Sequence, residues 1–418
     1  MSWTVWGISE LGCWLGHFPY RWPTGRDAED CLAAHIACNI RHIIWDLGRS
    51  VLNYHSSLPE ATCRGLRENP HSEDSRRRAI EELYRERCQL RAALMYARER
   101  DCIIYGRLCM NRHYDPLSEH RSRFADSHPE LCEQFRDGRL DVTRLTYASA
   151  EYRRERVEIL AEAAFTGCEG LCLDFCRQPP AVRYHPLLVT AYRAANDIDP
   201  RELTLSGERD AFLAWCRYRA ASVTQFLIEL KQELDRMRER YQRAIPVQVR
   251  IPSDGVEGNL VAGLDVVGWC EQDLVEEIAL SELRWLREYQ GWALDPYLDL
   301  GERHGIPIFA GNSCLPMQAG GWSGECNPCG VNPVVAARRT LSARDAGAAG
   351  ISVYQTDLGV QEPAQMELLS LYADPAALEA ALEAPDLLKR WPITPENEMF
   401  GIDNHSRPMN RLTSADEL

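Results

Sequence analysis

One stretch of the sequence decides the fold class: Glu169-Gly170-Leu171-Cys172-Leu173-Asp174-Phe175-Cys176-Arg177. A short apolar run ends abruptly in an acid, an aromatic residue and a base. Continuous apolar residues are typical of a strand buried on both faces, as in a parallel sheet covered by helices. An acid at the end of such a strand lies at the rim of the sheet, where α/β proteins place their chemistry. The stretch therefore predicts an α/β fold and a first catalytic candidate, Asp174.

Seven further apolar runs of strand length are spread along the chain. The predicted strands are residues 5–8, 42–46, 102–108, 170–175, 246–251, 274–280, 306–310 and 350–354. Eight short buried strands with helical connections favour a closed (β/α)8 TIM barrel over an open doubly wound sheet. No Gly-x-Gly-x-x-Gly follows any of these runs, so a dinucleotide-binding domain has no support.

The intervals between the runs predict the domain organisation. Most of them contain amphipathic stretches, and a long loop is expected between the third strand and a helix at 150–165. The alternation of strands and helices stops near Val360. We therefore expect a TIM-barrel catalytic-type domain with long βα loops over residues 1–359, and a C-terminal extension packed on the barrel over residues 360–418.

Composition limits the partners and the cellular location. Lys and Arg number 47 and Asp and Glu number 62 among 418 residues, which gives a net charge of −15. An acidic surface argues against nucleic acid or an anionic membrane as partner. No apolar window is long enough for a transmembrane helix, and the N-terminus lacks a secretory signal pattern. With sixteen scattered cysteines, we expect a cytoplasmic protein with buried reduced thiols; the sequence does not indicate its oligomeric state.

Polar residues at the predicted strand ends are the site candidates, because TIM-barrel enzymes build their sites there. Two opposed carboxyl groups are the minimum for glycoside hydrolysis, one as proton donor and one as nucleophile or base. Asp174 is the first catalytic candidate and Glu325 its expected partner, with Asp357 and Asp46 behind them. The residues expected to bind substrate are Arg49, Arg107, Asn111, His113, Arg177, Arg250, Asn312 and Trp322.

The expected substrate contacts follow from the chemistry of these side chains. Arginine binds anionic groups bidentately or pairs with a carboxylate, so four arginines near strand ends predict an anionic glycan, uronic or sulfated. Asn111 and His113 would hydrogen-bond hydroxyl groups, and Trp322 would stack on a sugar face. The loop 311–330 contains several glycines and Glu325, which is typical of a lid or subsite wall.

No metal and no cofactor is expected. His113, Asp115 and His120 match no tight ligand spacing. Cys326 and Cys329 have C-x-x-C spacing, but no second pair lies at zinc-ribbon distance and no strand leads directly into them.

Several stretches of the chain resemble the glycoside-hydrolase-like TIM-barrel proteins, a family-10-like group. They are Ile44-Trp45-Asp46-Leu47-Gly48-Arg49, Arg107-Leu108-Cys109-Met110-Asn111-Arg112-His113, His128-Pro129-Glu130, the opening stretch at 169–177, and Gly263-Leu264-Asp265-Val266. The resemblance covers about residues 40 to 355. It implies a TIM barrel and a carbohydrate-active protein, although a shared barrel does not fix the reaction.

The chain departs from the pattern of that group at two places. Where the group usually reads Arg-Met-Asn-Asp-x-His, Leu108-Cys109 intervene here and Arg112 replaces the Asp. Where the group carries Glu-Leu-Asp-Phe, this chain has Cys172 in place of the Glu, while Asp174, Phe175 and Arg177 match. If that Glu assists catalysis in relatives, this chain has lost it.

The sequence therefore predicts a glycoside hydrolase, or a related carbohydrate-active enzyme, that acts on a carbohydrate substrate through a carboxylate pair. Two alternatives stay open. A barrel that binds carbohydrate without cleaving it is motivated by Cys172. A metal-dependent isomerase or lyase barrel would need a divalent ion held by His and carboxylate side chains.

Overall fold

The computed structural model describes residues 3–16, 22–63, 82–116, 118, 121–176, 179–281, 284–289, 294–314, 331–393 and 412–418. The strands within these ranges are β1 Thr4–Ser9, β2 His42–Gly48, β3 Val51–Leu52, β4 Thr62–Cys63, β5 Ile103–Cys109, β6 Cys132–Gln134, β7 Leu140–Leu145, β8 Gly170–Asp174, β9 Val247–Ile251, β10 Glu277–Leu280, β11 Ile308–Ser313 and β12 Gly350–Tyr354.

Eight of these described strands form a closed parallel barrel, which confirms the predicted fold class. Around the barrel the order is β1, β12, β11, β10, β9, β8, β5 and β2. Strand β1 pairs in parallel with both β12 and β2, and this double pairing closes the sheet. The fold is therefore a (β/α)8 barrel, in which the C-terminal strand ends meet at one rim.

Helices connect the barrel strands and cover their outer faces. Within the described ranges they are α1 Leu11–Gly16, α2 Asp27–Ala37, α3 Gln89–Arg98, α4 Arg123–Ser127, α5 Ala150–Thr166, α6 Pro186–Asn196, α7 Arg209–Tyr241, α8 Gly255–Val261, α9 Val266–Glu271, α10 Asp295–His304, α11 Pro333–Asp345, α12 Thr356–Gly359, α13 Pro363–Tyr372, α14 Pro375–Leu382 and α15 Leu387–Arg390. Local sequence sets their ends. For example, α5 follows Ser149, whose side chain accepts the Tyr152 N–H, and stops at Gly167 with a φ of 126° that favours glycine.

All eight predicted strands correspond to barrel strands, and the sixth shows the largest shift in its start. It was expected from Leu274 but begins at Glu277. Leu274 is buried, yet its N–H donates to Trp269 O at 2.9 Å, so it belongs to the turn that follows α9. Apolar residues that close a helix look the same in sequence as the start of a buried strand.

The long loop expected after the third strand contains an antiparallel hairpin, which the sequence did not predict. Strands β6 and β7 pair with each other and not with the barrel. Strand β6 has only three residues. In β7 the apolar residues are interrupted by the charged residues Asp141 and Arg144. Neither has the apolar run by which the barrel strands were found.

Alternation along the barrel strands separates an apolar interior layer from a charged rim. The interior layer consists of Trp6, Ile8, Ile44, Tyr105, Cys172, Ala279 and Phe309. Residues between them face outward, where they pack under the helices in the main core. Cys172 lies in the interior layer, one inward position below Asp174, as expected from the sequence. The next inward-facing position on several strands is charged.

Several described residues beyond Val360 contact earlier parts of the chain. Leu368, Leu369 and Tyr372 are fully buried in the main core, and Trp3 Nε1 donates to Tyr372 O at 2.8 Å. Near the end of the chain, Thr413 N donates to Trp285 O at 2.9 Å. None of the described helices is long and apolar enough to cross a membrane. Of the fourteen cysteines in the described ranges, all but one are buried.

Candidate active site

Five charged side chains meet at the C-terminal strand ends, and we call them the rim cluster. The rim cluster consists of Glu10, Asp46, Arg107, Asp174 and Arg250. Each lies two residues beyond an inward-facing residue of its own strand, so all five point to the barrel axis. The strand register places Asp46 beside Arg107 and Asp174 beside Arg250. The structure therefore brings together four of the predicted site residues and adds Glu10.

Arg107 is the centre of the rim cluster. Its Nη1 donates to Asp174 Oδ2 at 3.0 Å, and its Nη2 donates to Asp46 Oδ1 at 2.8 Å and to the Glu10 carboxylate. Its side chain is 1% exposed. Burial lowers the pKa of Arg107, but the charges of Glu10, Asp46 and Asp174 raise that pKa well above its ordinary value. Arg107 therefore stays charged and links three carboxylates from three strands.

Asp174 is held by hydrogen bonds to both of its carboxylate oxygens. Besides the Arg107 contact, Arg250 Nη1 lies 3.2 Å from Oδ1 and 3.3 Å from Oδ2. The backbone N–H of Cys176 donates to Oδ1 at 2.9 Å. The Arg250 guanidinium also lies over the ring of Tyr354, 4.9 Å from its centroid. Two guanidinium groups and a backbone amide stabilise Asp174 as a carboxylate in a fixed orientation.

Glu10 joins the rim cluster from the residue just beyond β1, and the sequence analysis missed it. Besides Arg107, its carboxylate accepts a weak hydrogen bond from the Cys13 thiol at 3.6 Å. Its backbone N–H donates to Asp357 Oδ1 at 3.3 Å, which attaches the predicted candidate Asp357 to the cluster. The first predicted strand ended at Ile8, so a search two residues past its end would have found Glu10.

Asp46 and Arg49 form the outer edge of the site. The Asp46 side chain is 11% exposed, the largest value among the carboxylates bound to Arg107, and Asn53 Nδ2 donates to its Oδ2. Arg49 is partly buried, and its Nη1 donates to Tyr114 OH at 2.7 Å. Burial lowers the pKa of Arg49, but Cys109, Glu10, Tyr114 and Asp46 raise it above its ordinary value. Arg49 is thus a charged group beside two carboxylates.

The structure does not bring Asn111, His113 and Asn312 into the rim cluster. His113 is buried between Ser50 Oγ at 2.7 Å and Tyr152 OH at 3.0 Å. Burial, with smaller effects of two nearby arginines, holds the pKa of His113 well below its usual value. Its nitrogens therefore join packed elements, away from the rim cluster.

The two asparagines have structural hydrogen bonds as well. Asn111 Nδ2 donates to Phe175 O at 2.9 Å and so holds the backbone next to Asp174. Asn312 faces outward, where its Nδ2 donates to Ala336 O at 3.1 Å and to Thr340 Oγ1 at 2.9 Å on α11. Asn312 is separated from the barrel axis by its own strand, so the structure does not place it with the rim cluster. Glu325, Trp322 and Arg177 lie outside the described residues.

A second buried charged group lies around the β6–β7 hairpin, which is not part of the barrel sheet, and we call it the hairpin cluster. It consists of Glu133, Asp141, Arg144 and Arg183, of which the first three lie on β6 and β7. Asp141 Oδ2 accepts from Arg183 Nε at 2.7 Å and from Arg144 Nη1. Glu133 Oε2 accepts from Arg183 N at 3.1 Å. This cluster ties the hairpin to the segment that follows β8.

The donor set of the rim does not fit a bound metal ion. Among the described residues, no group of three or more His, Cys, Asp or Glu side chains is arranged to hold one. The carboxylates of Glu10, Asp46 and Asp174 do converge, but they converge on the Arg107 guanidinium. That cation already supplies the positive charge which a metal would contribute there.

The fold and its charged rim define a (β/α)8 barrel protein with a polar site at the usual end of the barrel. No family model matches this chain, and neither does any curated protein. The family-10-like resemblance therefore stays a prediction.

Three solved structures have a similar fold. The first is α-L-fucosidase isoenzyme 2 from Paenibacillus thiaminolyticus, at 13% identity and a TM-score of 0.54 over 92% of this chain and 50% of that chain. The β-galactosidase from the psychrophilic Marinomonas ef1 has 13% identity and a TM-score of 0.53 over 93% of this chain and 62% of that one. The β-galactosidase from Rahnella sp. R3 has 12% identity and a TM-score of 0.50 over 90% and 57%.

These likenesses show a shared fold at low sequence identity. This chain spans between 50% and 62% of the three neighbours' lengths. By their names all three are glycosidases, and at this identity the likeness shows the fold alone.

Proposed function

We propose that this chain is a glycoside hydrolase that uses a carboxyl pair at the C-terminal rim of the barrel. The observation that carries the proposal is the convergence of Glu10, Asp46 and Asp174 on one guanidinium, with Asp357 attached behind Glu10. Fold neighbours that are named as glycosidases support the same class. A shared barrel alone would not suffice, because function lies in the site.

The spacing of these carboxylates is compatible with hydrolysis of a glycosidic bond. Asp46 and Asp174 bind the two terminal nitrogens of the same guanidinium. Their bonded oxygens therefore lie within about 8 Å of each other, and hydrolytic pairs are separated by roughly 5–9.5 Å. This upper limit supports Asp46 as a candidate for the second carboxylate.

Asp174 is suited to the role of nucleophile in this proposal. Two arginines and a backbone N–H keep it ionised and oriented, and a nucleophilic carboxylate must be ionised when it attacks the anomeric carbon. Its partner must carry a proton to the leaving oxygen. From sequence, Glu325 is the proposed partner, with Asp46 and Asp357 as further candidates.

The finer proposal of an anionic glycan rests on Arg49. Arg107 and Arg250 hydrogen-bond carboxylates directly. Arg49 lies at the outer edge of the site and hydrogen-bonds a neutral tyrosine. A uronic or sulfated sugar could pair with it bidentately. Matched aryl glucosides and glucuronides test this: Arg49→Met should raise KM for the glucuronide by about tenfold and leave KM for the glucoside nearly unchanged.

The principal test of the function is Asp174→Asn, assayed on a panel of aryl glycosides and aryl uronides. Loss of the nucleophile should reduce kcat by at least about 100-fold, while the circular dichroism spectrum stays that of the wild type. Asp137→Asn is the matched control, because Asp137 is an exposed carboxylate of the β6–β7 turn. Turnover that persists in folded Asp174→Asn protein would contradict the proposal.

A second candidate function is a barrel that binds carbohydrate without cleaving it. One observation favours it: both oxygens of Asp174 are hydrogen-bonded, and its side chain is 1% exposed. A carboxylate so enclosed must be uncovered before it can attack a sugar. Saturable glycan binding by calorimetry, with no product after overnight incubation, would select this alternative.

A further inference from the structure

The hydrogen-bond ladder between β5 and β8 stops at Asp174, and side chains take over from it. In a parallel ladder each strand in turn donates to the other at regular intervals. The last regular bond joins Met110 N to Asp174 O at 2.9 Å, and the next in the pattern would run from Cys176 N to Met110 O. Instead, Cys176 N donates to Asp174 Oδ1 at 2.9 Å. The end of the ladder therefore supplies a donor to the proposed nucleophile.

Tyr147 satisfies the carbonyl group that the ladder would have used next. Its hydroxyl donates to Met110 O at 2.6 Å, and the residue is 0% exposed. Its ring packs against the rings of Tyr152 and Phe226, with centroids 5.0 and 5.5 Å away, which fixes the direction of the hydroxyl. Because Met110 O has this donor, it can stay buried without a bond from Cys176 N.

Asn111 holds the other end of the same peptide group. The Cys176 N–H and the Phe175 carbonyl belong to one peptide unit, which is planar. Asn111 Nδ2 donates to that carbonyl at 2.9 Å, and Asn111 is 3% exposed. A peptide group bound at its oxygen is fixed in orientation and becomes a stronger donor at its nitrogen. Asn111 therefore acts on Asp174 through this peptide.

The Cys176 N–H distinguishes the two oxygens of Asp174. Arg250 Nη1 lies 3.2 Å from Oδ1 and 3.3 Å from Oδ2, so it does not select between them. Cys176 N donates to Oδ1, whereas Arg107 Nη1 donates to Oδ2 at 3.0 Å. If Cys176 N bonded Met110 O instead, the Asp174 carboxylate would lose one restraint on its rotation.

We propose that Asn111 and Tyr147 are positioning residues for the nucleophile, because they end the β5–β8 ladder where the Cys176 N–H is left to orient Asp174. The inference rests on the proposed function, in which Asp174 attacks the anomeric carbon. It gives Asn111 a role different from the hydroxyl contact expected from sequence.

The kinetic test uses Tyr147→Phe and Asn111→Leu in the full chain. The first change removes one oxygen atom, and the second keeps the shape of the side chain but removes the donor. Each should lower kcat for aryl glycosides by about 10-fold to 100-fold and leave KM within about twofold, because the nucleophile is misoriented. The double variant should be about as slow as the slower single variant, since both residues act on one peptide.

Matched controls remove the same chemical groups elsewhere in the chain. The Tyr54 hydroxyl donates to Ile159 O at 3.3 Å, and the buried Asn259 Nδ2 donates to Pro252 O at 3.0 Å. Tyr54→Phe and Asn259→Leu should therefore lose stability in urea as the test variants do. Their kcat should stay within about threefold of wild type.

The Cys176 amide resonance tests the positioning without turnover. A proton that donates to a carboxylate resonates downfield, so this resonance should lie downfield in protein labelled with ¹⁵N-cysteine and be assigned through Cys176→Ser. It should move upfield in Asp174→Asn, in Tyr147→Phe and in Asn111→Leu. Both control variants should leave it unchanged.

The outcomes separate this inference from the proposed function. If the wild type turns over none of the glycosides while the resonance moves as expected, the proposed function fails and the orientation of Asp174 by these residues stands. If the wild type is active and the resonance is the same in Tyr147→Phe and Asn111→Leu, the inference is overturned and the function stands. A resonance that moves while kcat stays within about threefold of wild type would also overturn the inference.

Discussion

The rim cluster and the hairpin cluster contain the same kinds of side chain, but they join different parts of the molecule. The rim cluster joins the ends of barrel strands, whereas the hairpin cluster joins the β6–β7 hairpin to the segment after β8. Both are almost completely buried and both pair carboxylates with arginines. In the hairpin cluster, backbone groups complete the hydrogen bonding: Asp141 Oδ1 accepts from Thr143 N, and Arg144 Nε donates to Pro180 O. In the rim cluster, Arg107 and Arg250 donate to carboxylates at strand ends, and Asp174 also accepts from the Cys176 amide.

This difference teaches that buried charge does not by itself mark an active site. The charged side chains of the hairpin cluster pair with one another and fix a loop. Those of the rim cluster meet on the barrel axis, where several strands end. Functional sites tend to perturb ionisable groups, but structural ion-pair networks do so as well. The position of the rim cluster at the strand ends is what supports it as the proposed site, and mutations in each cluster should have different consequences.

The largest effect is expected for Arg107→Met at the centre of the rim cluster. The change leaves three buried carboxylates without their common cation. Removing one partner from a buried ion pair costs about 3–5 kcal/mol, so urea denaturation should show a loss of that size in the free energy of unfolding. Turnover should also fall by at least about 100-fold, because the proposed nucleophile loses one of its two guanidinium partners.

A matched surface change and a conservative change control this prediction. Arg139→Met removes an arginine whose side chain is 71% exposed and paired with Asp137, and should change the free energy of unfolding by less than about 0.5 kcal/mol. Arg107→Lys keeps the charge but cannot bridge carboxylates through two nitrogens. It should fold and still lose turnover. Normal turnover in Arg107→Lys would show that the bridging geometry is not needed.

An intermediate effect, confined to stability, is expected for Asp141→Asn in the hairpin cluster. The amide can no longer neutralise Arg144 and Arg183, which both bind Oδ2, so the free energy of unfolding should fall by about 3 kcal/mol. In protein that is still folded, kcat and KM should stay within about twofold of wild type. A loss of turnover comparable to that of Arg107→Met would place the hairpin cluster in the active site and remove the contrast.

The barrel was predictable from sequence because its strands are buried on both faces. Their apolar runs contrast with the charged helices, and each predicted strand overlaps an observed one. The hairpin β6–β7 was not predictable in this way, since its buried positions include Glu133, Asp141 and Arg144. Their burial depends on partners that are distant in sequence, and a sequence pattern cannot show such pairing.

The candidate site was predictable in part. The search for polar residues at the predicted strand ends found four members of the rim cluster, namely Asp46, Arg107, Asp174 and Arg250. Asn312 shows the limit of a search by strand ends alone. It also lies at a strand end, but alternation from the inward-facing Phe309 turns it outward. Applying that period of two to every strand would have excluded Asn312, and extending the first strand by two residues would have added Glu10.

The smallest effect is expected for Glu133→Gln, and it appears as a pH dependence of stability. Burial raises the pKa of Glu133 from 4.5 to about 7, although hydrogen bonds from Thr146 and the Arg183 N–H and the charges of Arg183 and Arg219 lower it in part. Between these two values the folded state keeps a proton that the unfolded state has released. The free energy of unfolding of the wild type therefore falls as the pH rises through this window. Glutamine cannot titrate, so the decrease between about pH 5 and pH 8 should be smaller in Glu133→Gln, by on the order of 2 kcal/mol.

Asp254, whose pKa burial raises to about 7, is present in both proteins and cancels in the comparison. Urea denaturation at a series of pH values measures the difference, while the pH profile of turnover should be the same in both. A turnover profile that shifts with Glu133→Gln would mean that the hairpin cluster and the rim cluster are electrostatically coupled, and the distinction between a structural and a catalytic cluster would then fail.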